Sequence, residues 1–128
     1  PHDHGASWAI YGQATHYTDM VEWEREDDGT DADKAKLKPV KKYRLLPGHA
    51  GIYQDGTIHS IDYPDHSRFV RVTGTNLDKI NRVRFDLKTG EVHQMTPQQA
   101  TSPAQARSTP GSNFHLIAPF LPLETSMA

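Results

Sequence analysis

Three histidines carry the chemistry that the residue types and spacing of this sequence indicate. His2 and His4 lie two positions apart, and His59 follows a glycine turn far along the chain. Alternate side chains of a β-strand point to the same face, so His2 and His4 can direct both imidazoles toward one point. With His59 from a second strand, three nitrogen ligands would suit a divalent transition metal and leave coordination positions open. The alternative is a flexible histidine-rich terminus and a turn histidine bonded to backbone.

Composition limits the class of protein. The chain has 128 residues, of which 35% are hydrophobic, and this length is enough for one domain with its own core. Its formal charge is -2. That charge gives no argument for nucleic acid or an anionic membrane, and the absence of cysteine excludes disulfides and thiolate catalysis. No apolar run has membrane-spanning length and no signal peptide precedes the domain, so we expect a soluble cytoplasmic protein.

Short strand-like segments separated by turn residues fill most of the chain. We predict strands at 6–13, 17–25, 39–46, 51–53, 58–63 and 68–74, then a hairpin of 82–86 and 91–95. A solvated loop is predicted at 26–36 and one helical turn at 75–80. Because the chain begins inside an apparent ligand strand, we expect earlier strands of a complete barrel to lie outside this sequence. Many short strands favour a sandwich or a closed barrel, so the predicted fold class is all-β.

The composition changes at Thr96, where prolines become frequent. Proline supports neither central strands nor long helices. We therefore divide the chain into a barrel at 1–95 and a Pro-rich tail at 96–128, with a flexible linker at 101–112. The segment 114–123 is too apolar to be left in water, and we expect it to pack on the barrel or on a partner subunit. This apolar surface favours a homodimer.

The ordered motifs resemble those of the cupin superfamily. They are Pro1-His2-Asp3-His4-Gly5 with Gly12, then Leu46-Pro47-Gly48, then Gly56-Thr57-Ile58-His59. Two more segments resemble the cysteine dioxygenase-like (thiol dioxygenase) branch: Thr73-Gly74-Thr75-Asn76-Leu77-Asp78 and Arg84-Phe85-Asp86-Leu87-Lys88-Thr89-Gly90. The resemblance implies a jelly-roll barrel, or double-stranded β-helix, that holds non-haem Fe(II) on His2, His4 and His59. In that branch both O2 and a small substrate bind the iron.

Several positions depart from the pattern of that branch. Trp8 and Ala9 stand where many cupins carry a glutamate ligand, and some thiol dioxygenases have a cysteine at the position of Ala9. The Ser-x-His-x-Tyr element of the branch is replaced by Phe69, Arg71 and Thr73. The resemblance therefore implies a site with three histidine ligands and without the hydroxyl–imidazole–phenol relay.

Three further residues are candidates for the catalytic site. Arg71 lies on the strand face that points inward in the family, where a guanidinium grips a substrate carboxylate in a bidentate fork. The alternative for Arg71 is an ion pair with Asp62. Tyr11 and Tyr53 are expected to line the pocket and to hydrogen-bond an oxygen ligand of the metal, or simply to pack with a wet hydroxyl.

The residues and the resemblance together predict an Fe(II)-dependent dioxygenase that oxidises a small thiol- or carboxylate-bearing substrate with O2. The same nitrogen ligands suit Zn(II), Ni(II) or Mn(II), so a non-redox isomerase or lyase is the first alternative. A cupin that binds a small ligand without turnover is the second. No nucleic-acid or membrane partner is expected in any of the three cases.

Overall fold

The computed structural model describes residues 1–97 and the backbone of the strand His115–Ile117. The strands are β1 (Ala9–Thr15), β2 (Thr18–Arg25), β3 (Leu37–Leu45), β4 (Ala50–Tyr53), β5 (Ile58–Asp62), β6 (Arg68–Thr73), β7 (Arg82–Phe85), β8 (Val92–Met95) and β9 (His115–Ile117). One short 3-10 helix spans Leu77–Lys79. All strand pairs are antiparallel, which confirms the all-β prediction. Among the described residues, no helical segment has the length and apolar character that crossing a bilayer requires.

Two of the three sheets enclose a common core, and the third is the hairpin β7-β8. The first has the strand order β4-β1-β6-β9 and the second has the order β3-β2-β5. Inward-facing side chains of both sheets form one buried cluster, which contains Ala9, Tyr11, Met20, Leu45, Tyr53 and Phe69. The alternation of side chains along each strand explains this cluster, because every second side chain points to the same side of the sheet.

The first four residues join β5 to the β7–β8 hairpin. His2 forms isolated antiparallel bridges with His59 on one side and with Arg84 on the other. The amides of His2 and His59 each donate to the carbonyl of the other at 2.9 Å, and the Asp3 amide donates to the Val83 carbonyl at 2.9 Å. The histidine pair is therefore fixed in the middle of a layer with the order β3-β2-β5, first four residues, β7-β8.

Within the described residues β3 is an outer strand, which explains how it accommodates a proline. Pro39 pairs with Trp23 beside a register shift between Glu22 and Trp23. A proline donates no hydrogen bond to a ladder and is therefore found at sheet edges and bulges. The exposed lysines of β3 protect this edge from pairing with another chain.

The tail predicted from the prolines is described only in part. The strand β9 pairs with β6, with Ile117 opposite Arg71 and His115 opposite Thr73. The linker predicted at 101–112 and the rest of the apolar segment 114–123 lie outside the described residues.

Candidate metal centre

The imidazoles of His2, His4 and His59 converge inside the fold. One nitrogen of each ring lies within 4.8 Å of those of the other two. The Nε2 atoms of His2 and His59 are 3.2 Å apart. His4 and His59 are almost completely buried, with 2% and 0% of their surface exposed. The structure thus brings together the three histidines that the sequence analysis selected.

A hydrogen-bonded aspartate fixes the direction of the first two histidines. Asp3 Oδ1 accepts from the Val83 amide at 2.8 Å and from the Gly5 amide at 3.1 Å. Gly5 has a φ of +57°, and a Cβ at this position would overlap the carbonyl oxygen of Asn81. Because only glycine adopts this conformation in this space, the motif His2-Asp3-His4-Gly5 is a structural unit.

The third histidine reaches the site from a glycine turn. Gly56 has a φ of +73°, and its amide donates to the Gly5 carbonyl at 3.0 Å. Two residues later β5 begins, with His59 at its second position and buried. The turn before β5 is therefore attached to the residue that follows His4, which keeps the two ligand segments in register.

Burial keeps the three imidazoles neutral at pH 7. The pKa is lowered to about 4 for His2, to about 3 for His4 and to about 2 for His59, and desolvation is the largest cause in each case. The guanidinium of Arg71 is one of the smaller causes that contribute to all three values. A neutral imidazole keeps its lone pair, so these rings can bind a metal without first losing a proton.

The distance between the nitrogens of His2 and His59 fits a shared transition-metal ion. Two nitrogens that are each about 2.1 Å from an ion, at an angle of about 90–109°, are about 3.0–3.4 Å apart. The 3.2 Å between the Nε2 atoms of His2 and His59 falls within this range. The buried Nδ1 atoms of His4 and His59 have no hydrogen-bond partner among the described residues. The described part of the chain therefore supplies the ligand nitrogens but not the acceptors that usually orient such rings.

Arg71 lies on the inner face of β6, as the alternation along this strand predicts. Phe69 and Thr73 on the same face are buried, and Arg71 itself is half-buried. Within residues 1–97, no carboxylate lies within 4 Å of its guanidinium. The alternative ion pair with Asp62 is therefore not formed, and the charge of Arg71 has no acidic partner in that part of the chain.

Tyr11 contacts the histidine cluster directly. Its hydroxyl lies 3.3 Å from His4 Nε2, and the register of β1 and β6 places it opposite Arg71. Burial raises the pKa of Tyr11, and the nearby Arg71 guanidinium opposes this rise. Tyr11 therefore stays protonated at neutral pH and can donate a hydrogen bond to a group next to His4.

The hydroxyl of Tyr53 has a different partner from the one expected. The Tyr53 ring packs edge-on against His59, with 4.4 Å between ring centroids. Its hydroxyl lies 2.6 Å from that of Tyr43, which donates to Glu22 Oε1 at 2.9 Å. Since Tyr43 uses its proton on Glu22, Tyr53 uses its own on Tyr43. In this arrangement Tyr53 supports His59 by packing and has no proton left to donate to a ligand.

Arg82, on β7, is a further residue at the site that no motif of the sequence predicts. The antiparallel bridge between His2 and Arg84 sets the register of the two segments. In this register Arg82 lies across from His4, two residues away on each segment. The alternation of Arg82 and Arg84 along a predicted hairpin strand was a signal that both share one face. Nothing local, however, indicated that this face adjoins the histidines.

A surface cavity of about 620 Å³ lies away from the histidines, between the loop 27–37 and the turn 86–90. The loop's most strongly bonded acid, Asp27, accepts from the amides of Gly29 and Lys36 and from Arg25. This carboxylate therefore holds the loop in shape.

Comparison of the chain with models of protein families, with curated proteins and with solved structures gave no match. The relation to cupins therefore stays a prediction from the motifs.

Proposed function

We propose that this chain is a metal-dependent enzyme of the cupin type, a non-haem Fe(II) dioxygenase that oxidises a small thiol- or carboxylate-bearing substrate with O2. The convergence of His2, His4 and His59 carries the proposal. Three neutral nitrogen ligands fill only part of the coordination sphere of a divalent ion, so positions remain for substrate and O2. The antiparallel sheets around a common core are compatible with the jelly-roll barrel that belongs to this proposal.

The histidines would hold the ion, and the residues around them would keep the site in shape. Bound Fe(II) would supply the O2 and one-electron chemistry for which no side chain of the chain is suited. Asp3 and Gly5 fix the directions of His2 and His4 through backbone hydrogen bonds. Burial of His4 and His59 excludes water from that side of the site.

Arg71 and Tyr11 would bind and orient the substrate. Arg71 has no acidic partner within residues 1–97, so its guanidinium is free to bind a carboxylate through two parallel hydrogen bonds. Tyr11 would donate to a substrate oxygen beside His4. This leaves Tyr53 as a residue that positions His59.

The test is metal analysis of anaerobically purified protein, followed by O2 consumption with a panel of thiols, β-diketones and hydroxy acids. Bound iron with substrate-dependent O2 uptake supports the proposal. Zinc, nickel or manganese with turnover and no O2 uptake would replace it with a non-redox isomerase or lyase. Saturable ligand binding without turnover would replace it with a binding protein.

Variants of the histidines make the metal analysis specific. His4→Ala removes a buried ligand, whereas His93→Ala removes a half-exposed histidine on β8 as a matched control. We expect metal content to fall to background in His4→Ala and to be unchanged in His93→Ala. Equal metal content in both variants would show that the bound ion lies elsewhere.

We also propose a homodimer. Ile52 and Val70 are exposed at 66% and 41% on the outer face of the first sheet, and such apolar surface favours association. Light scattering over a dilution series tests this, and a monomer at all concentrations would exclude a stable dimer.

A further inference from the structure

Two arginines from opposite layers of the fold flank the three histidines. Arg71 comes from β6 of the first sheet and lies opposite Tyr11, whose hydroxyl touches His4. Arg82 comes from β7, which pairs with the first four residues, and its register places it across from His4. Both guanidiniums lower the pKa values of His2 and His4, which is consistent with their closeness to these rings.

Among the described residues, Arg71 has no carboxylate within 4 Å, and Arg82 has only a long ion pair with Asp78. The nearest acidic atom to Arg82 is Asp78 Oδ1 at 3.8 Å, which is too far for a hydrogen bond, and Asp78 is largely exposed. The Arg82 side chain is 20% exposed, and its Nε is buried without a hydrogen-bond partner.

Such a concentration of positive charge favours an anionic ligand. A half-buried guanidinium is stabilised by a carboxylate that accepts two hydrogen bonds from it. Two guanidiniums on different sides of one site can each bind a separate carboxylate. The three histidines contribute no negative charge that would compensate for them.

We propose that this site recognises a small dianion, a dicarboxylate with one carboxylate bound by Arg71 and the other by Arg82. As a statement about the enzyme's substrate, this inference rests on the proposed function. As a statement about binding, it depends only on the two arginines. The substrate would be a dicarboxylate, which narrows the proposed class of carboxylate-bearing molecules.

The test compares matched ligands on the metal-free protein by calorimetry. The dicarboxylates are malonate, succinate and glutarate, and the monocarboxylates are acetate, propionate and butyrate. We expect the best dicarboxylate to bind about 10-fold or more tightly than its monocarboxylate, because a second charge-assisted pair contributes about this much. Equal affinities for the two series in the wild-type protein would overturn the proposal, whatever the variants do.

Substitutions then assign the two subsites. Arg82→Gln should lower the affinity for the dicarboxylate to that for the monocarboxylate. Arg71→Gln removes the subsite for the other carboxylate and should lower the affinity for every dicarboxylate by a similar factor. Arg68→Gln, an exposed arginine on the outer face of β6, is the control and should change neither affinity. An undiminished dicarboxylate preference in folded Arg82→Gln would exclude Arg82 from the site.

The two proposals fail in different ways. A protein that binds no divalent metal but prefers dicarboxylates would refute the proposed enzyme and leave the dianion site. A protein that binds iron but shows no dicarboxylate preference would refute the dianion site and leave the enzyme.

Discussion

The Nε2 atoms of His2 and His59 lie 3.2 Å apart, although 57 positions separate the two residues in the chain. Their backbones are also bridged, with each amide donating to the other carbonyl at 2.9 Å. Because the bridge fixes both Cα positions, little freedom remains in how the two imidazoles approach each other. The predictions that follow depend on this pairing of two distant segments.

Metal binding should stabilise the fold through this pairing. A ligand at about 100 times its Kd stabilises the folded state by about 2.7 kcal/mol, so Fe(II) added anaerobically should raise the Tm measurably. The Tm increase should vanish in His59→Ala. In His93→Ala the increase should be as in the wild type, and a full increase in both variants would contradict the assignment.

Gly5 should be intolerant of a side chain. Its φ of +57° and the overlap of a Cβ with the Asn81 carbonyl predict that Gly5→Ala costs about 1–3 kcal/mol in the free energy of unfolding. Gly12→Ala is the control, because a Cβ there has no atom within 4 Å. Urea denaturation of the two variants measures the difference, and equal stability would mean that the Gly5 turn is not required.

Asp3 should act on the metal through the backbone. Asp3→Ala leaves the amides of Val83 and Gly5 without their side-chain acceptor, which should cost about 1–3 kcal/mol of stability. We also expect metal affinity to fall about 10–100-fold, because the neighbouring histidines lose their orientation. Asp3→Asn retains an acceptor oxygen and should keep most of the stability and most of the metal affinity. Titration with Zn(II) measures the metal affinity. No rescue by asparagine would argue that the charge of Asp3, rather than its hydrogen bonds, is what matters.

The two buried tyrosines should behave differently. Tyr53→Phe removes the hydrogen bond to Tyr43 and should cost about 0.5–1.5 kcal/mol of stability, with metal and carboxylate affinity unchanged. Tyr11→Phe removes the hydroxyl next to His4 and should weaken carboxylate binding in the same calorimetric assay. A loss of carboxylate affinity in Tyr53→Phe and not in Tyr11→Phe would reverse the two roles.

The stability of the metal-free protein should decrease in mild acid. The pKa values of His2, His4 and His59 in the folded protein are about 4, 3 and 2, all below the ordinary 6.5. The unfolded chain therefore binds more protons below pH 6.5, so stability is highest above this pH and falls toward pH 4. Melting curves from pH 7.5 to 4.5 measure the slope, which should be shallower in His59→Ala. A flat profile for the wild type would mean that the rings are solvated.

Local patterns in the sequence were sufficient for most of the strands. The alternation around Arg71 gave its inward face correctly, and the segment 17–25 corresponds closely to β2. The first strand begins three residues later than predicted, at Ala9 rather than Ala6. The end of a strand depends on which backbone amides form hydrogen bonds with a neighbouring strand, and the local sequence pattern does not specify these bonds.

What the sequence by itself determined is which side chains share a face: His2 with His4, and Arg71 with its inward neighbours. That information is local, because it follows from the two-residue period of a strand. The tertiary structure alone decided that the first four residues lie between β5 and β7, which brings His59 and Arg82 to the same place. It also decided that Tyr53 donates to Tyr43. Both depend on hydrogen bonds between different segments of the chain, and no periodicity within a single segment specifies its partner.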